Sequence, residues 1–218
     1  MAEYEILTLD KLSDNRAEEV SLAKEYDLVK EIARKIKRTM KKKNLTSLSA
    51  PAIGYNKRIF CIDFSDNEIK TFINPLILES EGMELTREIC SSIPDKEFIR
   101  PRNTVIDVIY QRLDGTVRQN RFTGLAATVF QHEVDHLDGI TLADIGLEIE
   151  EDFDKASEKD KYEIIDLYLK SLNIKRENIM DEINKDDVTK IIYNNEKLAE
   201  LVGQGKIEVV NDEDEVNA

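Results

Sequence analysis

The only two histidines among 218 residues, His132 and His136, stand four apart and enclose Glu133 in the stretch His132-Glu133-Val134-Asp135-His136. On a helix this spacing puts both imidazoles within about 40° of each other around the axis, on one face. The run leading into them, Thr123-Gly124-Leu125-Ala126-Ala127-Thr128-Val129-Phe130, is uncharged and nearly all apolar. A helix so flanked is expected to be buried, and buried imidazoles need partners. One divalent metal partners both rings at once, and Glu133 stands where a carboxylate can serve as general base to a metal-bound water. This is the HExxH arrangement, a spacing that carries its own mechanism.

Two imidazoles do not complete such a site, because catalytic sites of this type use three protein ligands and keep one position for water. A third histidine six residues beyond His136 would fall at Leu142, so that solution is excluded. A downstream carboxylate, such as Glu158 or Glu163, and an upstream cysteine are left. Cys61 lies in an apolar strand pattern and reads as core. Cys90 lies between Glu88 and Ser91-Ser92, ahead of Pro94, a poor address for a core residue.

Charge divides the chain. Of a net −14, residues 145–218 carry 21 acidic against 10 basic side chains, which leaves a near-neutral body in residues 1–144. The expectation is a catalytic body over 1–144 and an acidic, partly helical C-terminal extension over 145–218, with a disordered end at Asn211-Asp212-Glu213-Asp214-Glu215. Such a tail opposes nonspecific nucleic-acid binding, and no specific DNA binding is expected. No run of eighteen apolar residues exists, so no membrane span is expected. Met1-Ala2-Glu3-Tyr4-Glu5 has neither the basic nor the apolar part of a secretory leader, and two cysteines do not make a disulfide scaffold. A reducing cytoplasmic location follows, in which a thiol is available as a ligand.

Residues 14–43 read as one amphipathic helix capped by Asp14 or Asn15, with Leu22, Tyr26, Val29, Ile32, Ala33, Ile36 and Met40 on one stripe. Its end, Arg34 to Lys43, holds seven basic residues, which suit a helix C-terminus and offer a contact to an anionic partner such as RNA. Strands are expected over 58–64, 71–78, 104–110 and 117–122, the last two joined through Asp114-Gly115, with Pro75 and Pro101 at sheet edges or strand ends. The motif helix should run from about 123 to 137, and further helices over 162–172 and 186–201. The fold class is α+β: largely antiparallel sheets around a central HExxH helix, with an N-terminal helix and an extra C-terminal helical region.

Two separated stretches carry a family resemblance. Glu88-x-Cys90-x-Ser92-Ile93-Pro94, followed some forty residues later by Gln131-His132-Glu133-x-Asp135-His136-Leu137-x-Gly139, resembles the EGCLS and QHExDHLxG motifs of the peptide deformylases. Ser49-Ala50-Pro51-x-Ile53-Gly54 stands in place of the family's GxGLAAPQIG, and Asn74-Pro75 and Pro101-Arg102 fall where the family order puts them. The resemblance implies that Cys90, His132 and His136 bind one divalent metal, most often iron(II), with zinc, nickel or cobalt as substitutes. It implies that Glu133 is the acid/base, that the backbone N–H of Ser91 faces the oxyanion, and that Leu125, Thr128 and Val129 line a methionine pocket. It puts Ser47 at the substrate site and Arg102 near the peptide path. The implied reaction removes the formyl group from the formyl-Met end of nascent chains; the resemblance implies a ribosome contact through a basic C-terminal helix, which this acidic C-terminus does not supply, and Arg34 to Lys43 offers another route.

The chain departs from the family at Ala52, where a glutamine amide helps hold the developing oxyanion; losing one such donor typically costs about a hundred- to thousandfold in rate. Ser47 and Ile89 replace motif glycines, and Ser91 replaces a leucine. Two other readings stand beside the first: an HExxH peptidase with a downstream glutamate ligand, and a deformylase-like binding protein with little turnover.

Overall fold

The computed structural model describes residues 5–12, 15–64, 68–150 and 152–179, together with the backbone of 190–191. The described α-helices are α1 (Leu22–Lys43), α2 (Gly124–Leu137), α3 (Leu142–Ile145) and α4 (Glu158–Ser171). The strands are β1 (Ser47–Ser49), β2 (Ile59–Asp63), β3 (Ile69–Glu81), β4 (Glu84–Cys90), β5 (Ile93–Arg102), β6 (Val105–Gln111), β7 (Val117–Thr123), β8 (Leu147–Ile149) and β9 (Lys190–Ile191). They form a five-stranded sheet, β1-β2-β3-β6-β7, and a four-stranded sheet, β8-β5-β4-β9. Every pairing is antiparallel except β4 with β9, as the α+β reading expects.

Helix α1 buries the predicted stripe from Val29 onward, with Val29, Ile32, Ala33, Ile36 and Met40 all inside, while Tyr26 of the same stripe is exposed. It begins eight residues later than the pattern predicts, because the preceding segment has other partners. Ala17 N–H donates to the Leu137 carbonyl, and Val20 exchanges two hydrogen bonds with the Asn74 side chain. Asn44, at φ 52°, ends the helix in the left-handed conformation that asparagine tolerates.

Pro75 does not mark a sheet edge. β3 lies at the centre of its sheet, and a register shift between Ile73 and Leu76 absorbs the missing N–H donor as a bulge. The charged hairpin β4–β5 was not predicted as strands, since its sequence breaks the apolar alternation. Lys190–Ile191, expected within a helix, forms a short parallel strand beside β4; the rest of 186–201 and the acidic end at 211–215 lie outside the described residues.

The five-stranded sheet packs against α2 through an aromatic cluster. Phe130 meets Phe60, Phe72 and Phe122 at centroid separations of 5.0, 5.3 and 5.4 Å. The contacts with Phe60 and Phe72 are edge-on and that with Phe122 is tilted; aromatic pairs add about 0.5–1.5 kcal/mol each beyond area burial, which holds α2 by its middle. Beyond residue 144 the chain continues to pack on the body: β8 pairs with β5, and Ile165 and Leu169 of α4 close over Ile99. No helix among the described residues is long and apolar enough to cross a membrane.

Candidate metal centre

β4 and β5 form a hairpin joined by Ser91-Ser92, with Cys90 opposite Ile93. Side chains alternate along a strand, so Thr86, Glu88 and Cys90 share one face, and all three are buried. This face meets the last turn and a half of α2. Cys90 Sγ lies 3.3 Å from His136 Nε2, which lies 3.2 Å from His132 Nε2. The three donor atoms fall within 4.8 Å of one another. Bonds of about 2.0–2.3 Å to one tetrahedral ion hold ligand atoms about 3.3–3.8 Å apart, so the residues fit a single metal. One thiolate with two imidazoles suits iron, cobalt, nickel or zinc rather than magnesium or calcium.

Behind this set runs a chain of buried charges. His132 Nδ1 is 2.9 Å from Glu88 Oε2. Glu88 also accepts from Arg102 at 2.6 and 2.8 Å and from Thr86 at 2.8 Å. Arg102 donates onward to Asp135 at 2.6 Å, and Arg100 ion-pairs with the same carboxylate. Binding Nδ1–H to a carboxylate selects the tautomer that leaves Nε2 facing Cys90, the arrangement that orients histidine ligands in metal sites.

Proton affinities follow from this packing. Burial alone would raise both thiols, and it pushes Cys61 up to about 12. At Cys90 the two imidazoles overcome burial and hold the thiol well below its ordinary value, favouring the thiolate. Burial opposes a charged His132, but Cys90 and Glu88 raise it to about 10. Burial would raise Glu88, yet Arg102 and His132 hold it well below the ordinary carboxylate value. Glu133 goes the other way: burial raises it, against the pull of the two histidines and Ser47.

Glu133 is 3% exposed. Its Oε1 accepts from the Ser47 hydroxyl at 2.6 Å, while Oε2, also buried, has no hydrogen-bond partner among the described residues. Both residues line a cavity of about 400 Å³, together with the apolar Leu45, Ile89, Ile93 and Pro94, the polar Ser91, Asp95, Lys96 and Glu97, and Cys90 and His132 of the metal set.

Several residues lie elsewhere than the sequence predicts. Leu125, Thr128 and Val129 sit one and two turns before His132 on its side of α2, but they are buried and do not line this cavity. Leu125 and Val129 belong instead to the core cluster with Phe60 and Phe72, and Thr128 Oγ1 bonds back to Gly124 O. Arg102 is 3% exposed, its guanidinium held between Glu88 and Asp135. Ser47 does reach the cavity, but its hydroxyl is engaged with Glu133. Ile89 pairs with Glu97 in β4 and is not among the residues with positive φ, so isoleucine replaces glycine there without strain. Ala52 is buried in the cluster under α1 and does not face the cavity. Glu158 and Glu163 are exposed on α4, ion-paired with Lys161 and Lys159, and neither joins the Cys90, His132 and His136 cluster. The roles of Glu88, Asp135 and the apolar cavity wall were not foreseen; the buried alternation Thr86, Glu88, Cys90 was the available signal.

An α+β frame that brings a thiol and two helix-borne imidazoles together, with a carboxylate beside them, has the make-up of a mononuclear metal-dependent hydrolase. The chain belongs to the polypeptide deformylase family, whose model matches residues 4–149. It is 45% identical over 120 residues to a peptide deformylase of Dictyoglomus thermophilum, covering 55% of this chain and 78% of that one. It is 34% identical over 128 residues to one from Thermosynechococcus vestitus, covering 56% and 68%. The crystal structure of peptide deformylase from Thermotoga maritima superposes with a TM-score of 0.61 at 32% identity, over 66% of this chain and 97% of that one.

Proposed function

We propose that this chain removes the formyl group from the N-terminal formylmethionine of nascent polypeptides, releasing formate. The observation that carries the reading is the convergence of Cys90, His132 and His136 beside the half-partnered carboxylate of Glu133. We assign the catalytic unit to residues 1–144 and treat 145–218 as an appended acidic element, of which β8 and α4 pack on that unit.

Cys90, His132 and His136 would hold the ion, and iron(II) is our assignment, with zinc, nickel and cobalt sharing its donor preferences. The ion supplies Lewis acidity to a water and to the substrate carbonyl. Glu133 Oε2, without a hydrogen-bond partner among the described residues, takes the proton of the attacking water and returns it to the amine nitrogen as the C–N bond breaks. The backbone N–H of Ser91, in the turn beside Cys90, is the group we assign to the developing oxyanion. Leu45, Ile89, Ile93 and Pro94 offer an apolar wall for the methionine side chain. Glu88 and Arg102 hold His132 in place rather than touch substrate.

The exposed Lys41, Lys42 and Lys43 at the end of α1 support a ribosome contact through Arg34 to Lys43. The free thiols of Cys61 and Cys90 suit a reducing cytoplasm. The test is formate release from a formyl-Met peptide by anaerobically purified protein, run beside metal analysis. Turnover that tracks metal content supports the reading; metal-loaded protein that releases no formate overturns it.

A further inference from the structure

Ser47 occupies a position from which it can do more than line the cavity. It is 6% exposed, on β1, whose register puts it opposite Ile62 of β2, so the strand pairing fixes its backbone. From there its hydroxyl donates to Glu133 Oε1 at 2.6 Å across 86 residues of sequence. The second carboxylate oxygen has no hydrogen-bond partner among the described residues although it is buried, and Glu133 lines the cavity. A glutamate side chain has three rotatable bonds, and its two oxygens are equivalent until something distinguishes them. In this site the distinguishing contact is the Ser47 hydroxyl.

We infer that Ser47 is a positioning residue for the reaction proposed above: its hydroxyl anchors Glu133 Oε1 and thereby aims Oε2 at the attacking water. The inference rests on that functional reading, and it gives Ser47 a role that acts through Glu133 rather than on substrate. The geometry supports an effect on turnover more than on binding, since the hydrogen bond is made to the acid/base and not to the peptide. Charge-assisted hydrogen bonds of this length are the stronger kind. Threonine keeps a hydroxyl on the same carbon and favours a strand, so it should conserve the function.

The experiment compares wild type, Ser47→Ala and Ser47→Thr, each loaded with iron(II) and checked for metal content and melting temperature. With a formyl-Met peptide, Ser47→Ala should lower kcat about tenfold to a hundredfold, with KM within twofold and metal content unchanged. Ser47→Thr should recover most of the loss. An unchanged kcat in Ser47→Ala, a loss that lies in KM, or a loss that follows metal content would overturn the inference, as would failure of threonine to rescue. A crystal structure of each form adds a second readout: Glu133 should hold one orientation in wild type and Ser47→Thr and spread over more than one in Ser47→Ala. If wild type itself shows no turnover, the functional reading falls. The crystallographic comparison then still decides the anchoring, and an unmoved Glu133 in Ser47→Ala refutes it.

Discussion

His132 presents Nδ1 to Glu88 Oε2 at 2.9 Å, and Glu88 is fully buried. The ring is therefore oriented by a carboxylate that solvent does not reach. Removing such an outer partner typically lowers metal affinity about 10- to 100-fold. Glu88→Ala should show a loss of that size in competition with a chelator, although residue 88 would not itself touch the ion. An affinity equal to wild type would show that His132 needs no such support.

The same pair sets a pH dependence. Glu88 has a depressed proton affinity in the folded protein, so its contribution is fully present above its ordinary value of about 4.5 and is lost as the pH falls toward the lowered folded value. Wild type should lose stability as the pH drops below about 4.5. Glu88→Gln should give a flatter profile there, and at neutral pH it should be less stable by about 3–5 kcal/mol, because Arg102 is left buried with half its partners. Urea denaturation from pH 7 to pH 3 measures both effects.

Glu133→Gln keeps the shape of the side chain and removes its capacity to accept a proton. It should lower kcat by about 10²- to 10⁴-fold, with metal content equal to wild type. Formate assays beside metal analysis check it, and near-normal turnover would exclude Glu133 as the base.

Cys90 is the one sulfur in the site and the one ligand contributed by the four-stranded sheet. Cys90→Ala should purify with little bound metal, and its melting temperature should no longer rise on metal addition. A full metal complement in that variant would refute the ligand assignment.

Helix α4 is held by few contacts. Ile165 and Leu169 are its buried residues, each about 1% exposed, and both pack on Ile99. Leu169→Ala should cost about 2–5 kcal/mol while leaving kcat near wild type, since the residue has no part in the cavity. Urea unfolding and the formate assay together test whether the segment beyond 144 supports stability alone.

The centre of the fold was legible because its signals are local. Two histidines at helical spacing behind an apolar run define α2, and Asp114-Gly115 between alternating segments defines the β6–β7 hairpin. The start of α1 was not legible, since what ends the helical pattern is a set of bonds from Ala17 and Val20 to residues 137 and 74. β4 and β5 were hidden for a different reason: Arg87, Asp95 and Lys96 interrupt the apolar alternation that identifies strands. The Glu88–Arg102 pair spans the hairpin diagonally, and a diagonal contact requires the register. The pocket role implied for Leu125, Thr128 and Val129 rests on the family pattern alone, whereas in this chain the aromatic core takes up Leu125 and Val129.

The amino-terminal segment is tied to distant parts of the chain: Leu7 to Ala52, Leu9 to Ser92 and Ala17 to Leu137. During synthesis these carbonyl acceptors emerge in that order, the last of them one residue after His136. Until then Cys90 has neither imidazole beside it, and its sulfur is an ordinary thiol, open to oxidants and to stray metals. Residues 7–17, made before all three acceptors, are thus secured only after them, and the reactive centre closes only once both imidazoles of α2 have left the tunnel.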